Sequence, residues 1–153
     1  MDIGSRKRLL ERAGLSVIDP AWDGARIAPM AAWKLVIGGD AVPAATVRFD
    51  DGGGYLCDVE STWRELSAQA GLFGEKGEFL IGVAGVGAAT APWALVKLNP
   101  RSDLAGQLAP VHGNPEFVAM DVESRTVCGV TSEEYEVWIV TGSFDQIATD
   151  CVS

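Results

Sequence analysis

Three sets of residues in this chain have types and spacings that could do chemistry. Gly85-Val86-Gly87-Ala88-Ala89-Thr90 follows an apolar run and nearly spells the Gly-x-Gly-x-x-Gly turn that carries nucleotide phosphates to a helix N-terminus. Thr90 stands where the third glycine belongs, and Ala91-Pro92 leaves no length for the helix, so a glycine-rich strand connection is the simpler reading. His112 is the only histidine. Its pKa near neutrality would suit a general base, with Cys57 or Cys128 as the nucleophile it activates. An exposed loop histidine is the better reading of Val111-His112-Gly113-Asn114-Pro115, and there is no second histidine to build a metal site. Carboxylates are paired at Asp50-Asp51, at Asp58 with Glu60, and at Glu133-Glu134. Acid–base catalysis would need two of them in one cleft with their pKa values pushed apart, and a cation would need a ligand ladder that none provides. They read as solvated turns or as a docking surface. No catalytic residue, metal site or cofactor is assigned.

The elements that must position these residues are short. Ser5 to Ala13 reads as a helix with Ser5 as its cap and Gly14 as its stop. Val17 to Pro29 is rich in turn residues, and Trp33 to Ile37 reads as a strand closed by Gly38-Gly39-Asp40. Ala45 to Phe49 and Tyr55 to Val59 alternate at period two around Asp50-Asp51-Gly52-Gly53-Gly54, the pattern of a β-hairpin. Ser61 to Gly71 is the clearest helix, with Trp63, Leu66 and Ala70 on one face. Glu78 to Val83 and Trp93 to Leu98 are predicted strands, and Asn99 to Pro115 is a long connection of the kind that is often functional. Phe117 to Val122, Thr126 to Val130 and Val137 to Thr141 follow with short bends, which favours an antiparallel meander, and Ser143 to Ala148 would close as a short helix. The expected fold is therefore a single α+β domain over residues 1–153, mainly antiparallel sheet flanked by a few helices.

Composition narrows the function classes. The 153 residues are 48% apolar and 22% charged, which is the balance of a folded globule. The net charge of −9 is unevenly spread: from Asp103 onward nine acids face one base, Arg125. A surface of that sign repels nucleic acid and anionic membrane and attracts cationic partners. Residues 79–96 form an uncharged run of eighteen, but Gly82, Gly85, Gly87 and Pro92 make it two buried strands rather than a membrane span. Arg6-Lys7-Arg8 begins like a signal peptide, but Glu11 and Arg12 interrupt the apolar stretch, so a cytoplasmic helix is expected. Cys57, Cys128 and Cys151 have neither metal spacing nor a disulfide framework, in keeping with a reducing compartment.

Of the five tryptophans, Trp22 stands apart, in the irregular Asp19-Pro20-Ala21-Trp22-Asp23-Gly24 stretch, and is a candidate interface anchor. With it, Asp50, Asp51, Asp58, Glu60, Glu133, Glu134 and Tyr135 form the expected partner-binding set. The C-terminal part resembles the SUKH superfamily, domains similar to yeast SMI1/KNR4. The resemblance rests on strands at Glu116-Phe117-Val118-Ala119-Met120-Asp121, Arg125-Thr126-Val127-Cys128-Gly129-Val130 and Glu136-Val137-Trp138-Ile139-Val140-Thr141, followed by Gly142-Ser143-Phe144. It implies an immunity protein of a bacterial polymorphic toxin system, one that binds a basic toxin domain and blocks it. The alternatives are a small enzyme using His112 with a cysteine or a nucleotide at Gly85 to Thr90, and a structural subunit or secretion chaperone. The oligomeric state is left open by the sequence.

Overall fold

The structure is a computed structural model that describes residues 2–50, 52–85 and 91–144. Among these the elements run α1 (Ile3–Arg12), β1 (Leu15–Trp22), α2 (Pro29–Ile37), β2 (Ala45–Arg48), α3 (Tyr55–Gln69), β3 (Glu78–Val83), β4 (Trp93–Leu98), α4 (Leu104–Gln107), β5 (Phe117–Met120), β6 (Thr126–Ser132) and β7 (Glu136–Ser143). The strands form one sheet in the order β1-β4-β3-β5-β6-β7-β2, with every neighbouring pair antiparallel. This is the expected α+β architecture, and β5, β6 and β7 make the expected meander.

Both faces of the sheet are covered, which is why its central strands read as continuous apolar runs. Phe79, Ile81, Phe117, Ala119, Cys128, Val130, Val137 and Ile139 point to one side, where they meet Leu10 of α1, Val59 and Trp63 of α3, and Leu104 of α4. Leu80, Val118, Met120, Val127 and Val140 point to the other, under Ala32, Trp33 and Val36 of α2. Trp63 is the hub of the first core. It is fully buried, its ring stands edge-on to Phe73 and Phe117 at 5.7 and 5.4 Å, and its indole N–H donates to the Cys128 carbonyl at 3.2 Å. Each such aromatic pair adds about 0.5–1.5 kcal/mol beyond the area it buries.

Several expected elements change type. Trp33 to Ile37 belongs to helix α2, not to a strand. Pro29 in its first turn presets the helical φ, and Ala32, Trp33 and Val36 recur at helical spacing on the buried face. Tyr55 to Val59 is not the second arm of a hairpin. It is the first part of α3, whose buried residues Tyr55, Val59, Trp63 and Ser67 recur every four positions. The helix read at Ser61 therefore begins six residues earlier, and Ser61 lies within it. Gly71, with φ of 75°, ends the helix region as expected. β2 pairs instead with the distant β7.

Val17 to Trp22, expected as turns, lies in β1. Pro20 is tolerated there because β1 is an edge strand, with register shifts on both sides of Asp19. The carbonyls of Pro20 and Pro92 accept hydrogen bonds from the guanidinium of Arg6, which is buried on α1. That helix starts at Ile3, and its cap is Asp2, whose carboxylate accepts from the Ser5 amide at 2.6 Å. The long connection from Asn99 contains α4. Ser143, expected as the cap of a closing helix, instead ends β7, Phe144 follows as a bend, and residues 145–148 of the expected helix lie outside the described residues.

Candidate functional site

Asp50, Glu133, Glu134 and Tyr135 come together in one group, Asp58 lies near it, and Glu60 and Trp22 are outliers. The group forms where β2 runs out beside β7. Arg48 is level with Glu136, and the Phe49 amide donates to the Tyr135 carbonyl at 3.4 Å, so Asp50 emerges next to the β6–β7 turn. That turn is held tight by the Glu133 amide on the Glu136 carbonyl at 2.8 Å. Glu133, Glu134 and Tyr135 are thereby exposed, Tyr135 to 70%.

A third chain segment reaches the same end. The Ser132 hydroxyl donates to the Pro115 carbonyl at 2.9 Å, and the Ser132 amide donates to the Glu116 carboxylate. The Tyr55 hydroxyl donates to the Gly113 carbonyl at 2.7 Å, while its ring stands edge-on to Phe49 at 5.2 Å. One end of the sheet thus gathers Asp50, Glu116, Glu133, Glu134 and Glu136 around Tyr135, with Arg48 as a nearby base. Burial, reinforced by the negative charge of Glu133, pushes the Glu116 carboxyl above its ordinary range despite the Ser132 amide. Among the described residues the ion pairs are Arg64–Glu60 and Arg125–Glu123, neither of which neutralises this cluster.

Asp58 is exposed in the first turn of α3, the helix whose Tyr55 braces the same end. Asp51 lies outside the described residues. Glu60 does not join the surface. Its side chain is 13% exposed and accepts from the Ala105 amide at 2.8 Å and from Arg64 at 3.4 Å, so it ties α4 to α3. Burial raises its pKa, with the Ala105 amide and Arg64 acting against that rise. Its expected role as a partner contact is therefore replaced by an internal one.

Trp22 is the other outlier. β1 and β2 are opposite edges of the sheet, six strand spacings or roughly 29 Å apart. Trp22 is half-buried against the core under α2, and its indole N–H is buried without a partner among the described residues. It cannot share one small contact patch with Tyr135.

The residues of the enzymatic alternative are separated in environment. Cys128 is fully buried beneath α3, and burial pushes its thiol up to about 11, which disfavours the thiolate that a nucleophile needs. Cys57 and His112 are exposed. Of the glycine-rich nucleotide candidate, residues 86–90 lie outside the described residues. Among the described residues no group of three or more His, Cys, Asp or Glu is placed to hold a metal ion, and no helix is long and apolar enough to cross a membrane.

Two features went unforeseen. Glu116 reads in sequence as the start of a strand, and only the Ser132 contact reveals it as part of the acidic end. An open cleft of about 750 Å³ lies at the other end of the sheet between the α3–β3 loop and the β5–β6 turn, lined by Phe73, Lys76, Glu78, Asp121 and Arg125. Both depend on non-local pairings that leave no local signal. No protein-family model matches this chain, and searches of curated proteins and of solved structures find no match either.

Proposed function

We propose that the chain is a protein-binding module that takes a cationic protein surface on its acidic end. Following the C-terminal resemblance to the SUKH superfamily, the bound protein would be a toxin domain of a bacterial polymorphic system, neutralised by occupation of its active surface. The observation that carries this reading is the convergence of Asp50, Glu116 and Glu133-Glu134 around the exposed Tyr135. Acids from three separate chain segments meet there with little cationic compensation, so a basic partner would be steered and oriented before contact. An exposed tyrosine at the centre of such a patch is the residue type that anchors interfaces. The free thiols Cys57 and Cys128, one of them exposed, support a reducing, cytoplasmic setting.

The test is affinity capture at low and at high salt, using the native chain and a Glu133→Lys, Glu134→Lys variant. The expected result is one stoichiometric basic partner, released by salt and associating about tenfold or more slowly with the variant. Capture that ignores both salt and charge reversal would refute the acidic end as the docking surface.

A further inference from the structure

We propose that the partner is held by strand addition: an extended, cationic segment pairs antiparallel with the outer edge of β2, which no strand covers among the described residues. This rests on the acidic-end reading and specifies how that end is engaged. The two edges of the sheet differ. β1 carries Pro20 and two register shifts, devices that spoil an edge as a template. β2 pairs with β7 in unbroken register from Ala45↔Ile139 to Arg48↔Glu136 and contains no proline. The Phe49 amide bonds the Tyr135 carbonyl, so Ala45, Val47 and Phe49 aim their backbone groups at β7. By alternation Thr46 and Arg48 aim theirs at the open side. Thr46 and Arg48 are exposed, while Ala45, Val47 and Phe49 pack on the core beneath α3. Arg48, the one charge on this strand, lies level with Glu136, which offsets it.

The surroundings of the edge give the incoming segment its chemistry. Asp50 and Glu133-Glu134 stand at the far end of β2, and Ile37 and Val42, 62% and 76% exposed, precede it. An antiparallel segment therefore presents Lys or Arg in its first half, towards Asp50, and apolar residues in its second half, towards Val42. The net charge of −9 works against a second copy of this chain in that place.

The probe is a capped synthetic peptide, Lys-Thr-Lys-Val-Thr-Val, titrated into the full chain and followed by amide shifts and amide hydrogen exchange. The expected result is slowed exchange at Thr46 and Arg48, with shifts running from Ala45 to Asp50. That response should be lost with Lys-Pro-Lys-Val-Pro-Val, which keeps the charge but cannot pair. It should also be lost in Thr46→Pro, which removes an amide that β7 does not use. If the proline peptide binds as well as the first and only Asp50→Lys, Glu134→Lys abolishes binding, strand addition is overturned while acidic docking stands. Absence of binding by either peptide at millimolar concentration overturns both. Thr46 protection without peptide, together with a sedimenting dimer, would overturn the proposal by assigning the edge to a second copy.

Discussion

Replacing Gly129 by alanine should strain the contact between α2 and the sheet by a calculable amount. A Cβ at Gly129 would lie 2.6 and 2.7 Å from the two γ-carbons of Val36 and 3.2 Å from its Cβ. Ordinary carbon contacts sit near 3.5–4.0 Å, so about 1 Å must be found by lifting α2 or turning Val36. Turning is poor relief, because a β-branched residue in a helix has one strongly preferred rotamer and Val36 is fully enclosed. Overpacking of this kind costs about 1–3 kcal/mol, offset by about 0.5 kcal/mol from the stiffer unfolded chain. For a domain of this size each kcal/mol moves Tm by about 2–4 °C, so a fall of about 1–10 °C is expected by calorimetry. Val36→Ala on its own should open a cavity and cost about 1–2.5 kcal/mol. In the double variant the alanine at 129 occupies the space that the γ-carbons vacate, so its cost should fall below the sum of the singles by about 1 kcal/mol or more. A Gly129→Ala protein melting as high as the native one, or a strictly additive double variant, would mean that α2 is not seated on β6 as described.

Two other perturbations follow from buried polar groups. Burial raises the Glu60 carboxyl above its ordinary 4.5, so the fold favours the protonated form, and the stability this contributes below that value is lost as pH rises through the raised one. Glu60→Gln keeps an acceptor for the Ala105 amide and removes that loss, so urea unfolding should show the variant gaining on the native chain from below pH 4.5 to neutrality; parallel pH curves would count against it. Arg6→Met should orphan the carbonyls of Pro20 and Pro92 and cost about 1–3 kcal/mol. Arg6→Lys should recover only part of this, because an ammonium does not reproduce the planar fork that reaches both; full recovery in the melting temperature would refute the bridging role.

The fold class and the second half of the sheet were legible because their signals are local. β3 and β4 stand within the expected bounds, and β5, β6 and β7 follow as an antiparallel meander whose bends are set by short polar turns. The first half misled for physical reasons. A five-residue apolar run such as Trp33 to Ile37 has no period long enough to separate helix from strand, and α2 is decided by Pro29 and by the space left above Gly129. Tyr55, Cys57 and Val59 alternate by chance, while the burial that matters recurs at Tyr55, Val59 and Trp63. The glycine-rich stretch after Phe49 suggested a hairpin, yet the partner of β2 lies some ninety positions away in β7, a pairing that only tertiary packing selects. The binding set suffered from the same blindness. Asp50 and Glu133-Glu134 converge because β2 joins β7, whereas Glu60 turns inward because its position on α3 faces α4.

That convergence has a cost, which bears on its meaning. If the acids served solubility alone, dispersal over the surface would do as well and would avoid mutual repulsion. Instead Glu116 is held half-buried beside Glu133, where burial and the neighbouring charge both disfavour its ionised form. The open cleft at the opposite end of the sheet interleaves Lys76 and Arg125 with Glu75, Glu78, Asp121 and Glu123, and Arg125 pairs with Glu123, so bases partly offset its acids. The acidic end presents more nearly a single sign, next to a strand edge whose outward amides have no partner among the described residues and a tyrosine that packing does not require. A cationic strand would answer all three at once: its charges would relieve the repulsion among the acids, its backbone would satisfy Thr46 and Arg48, and its flank would cover Tyr135.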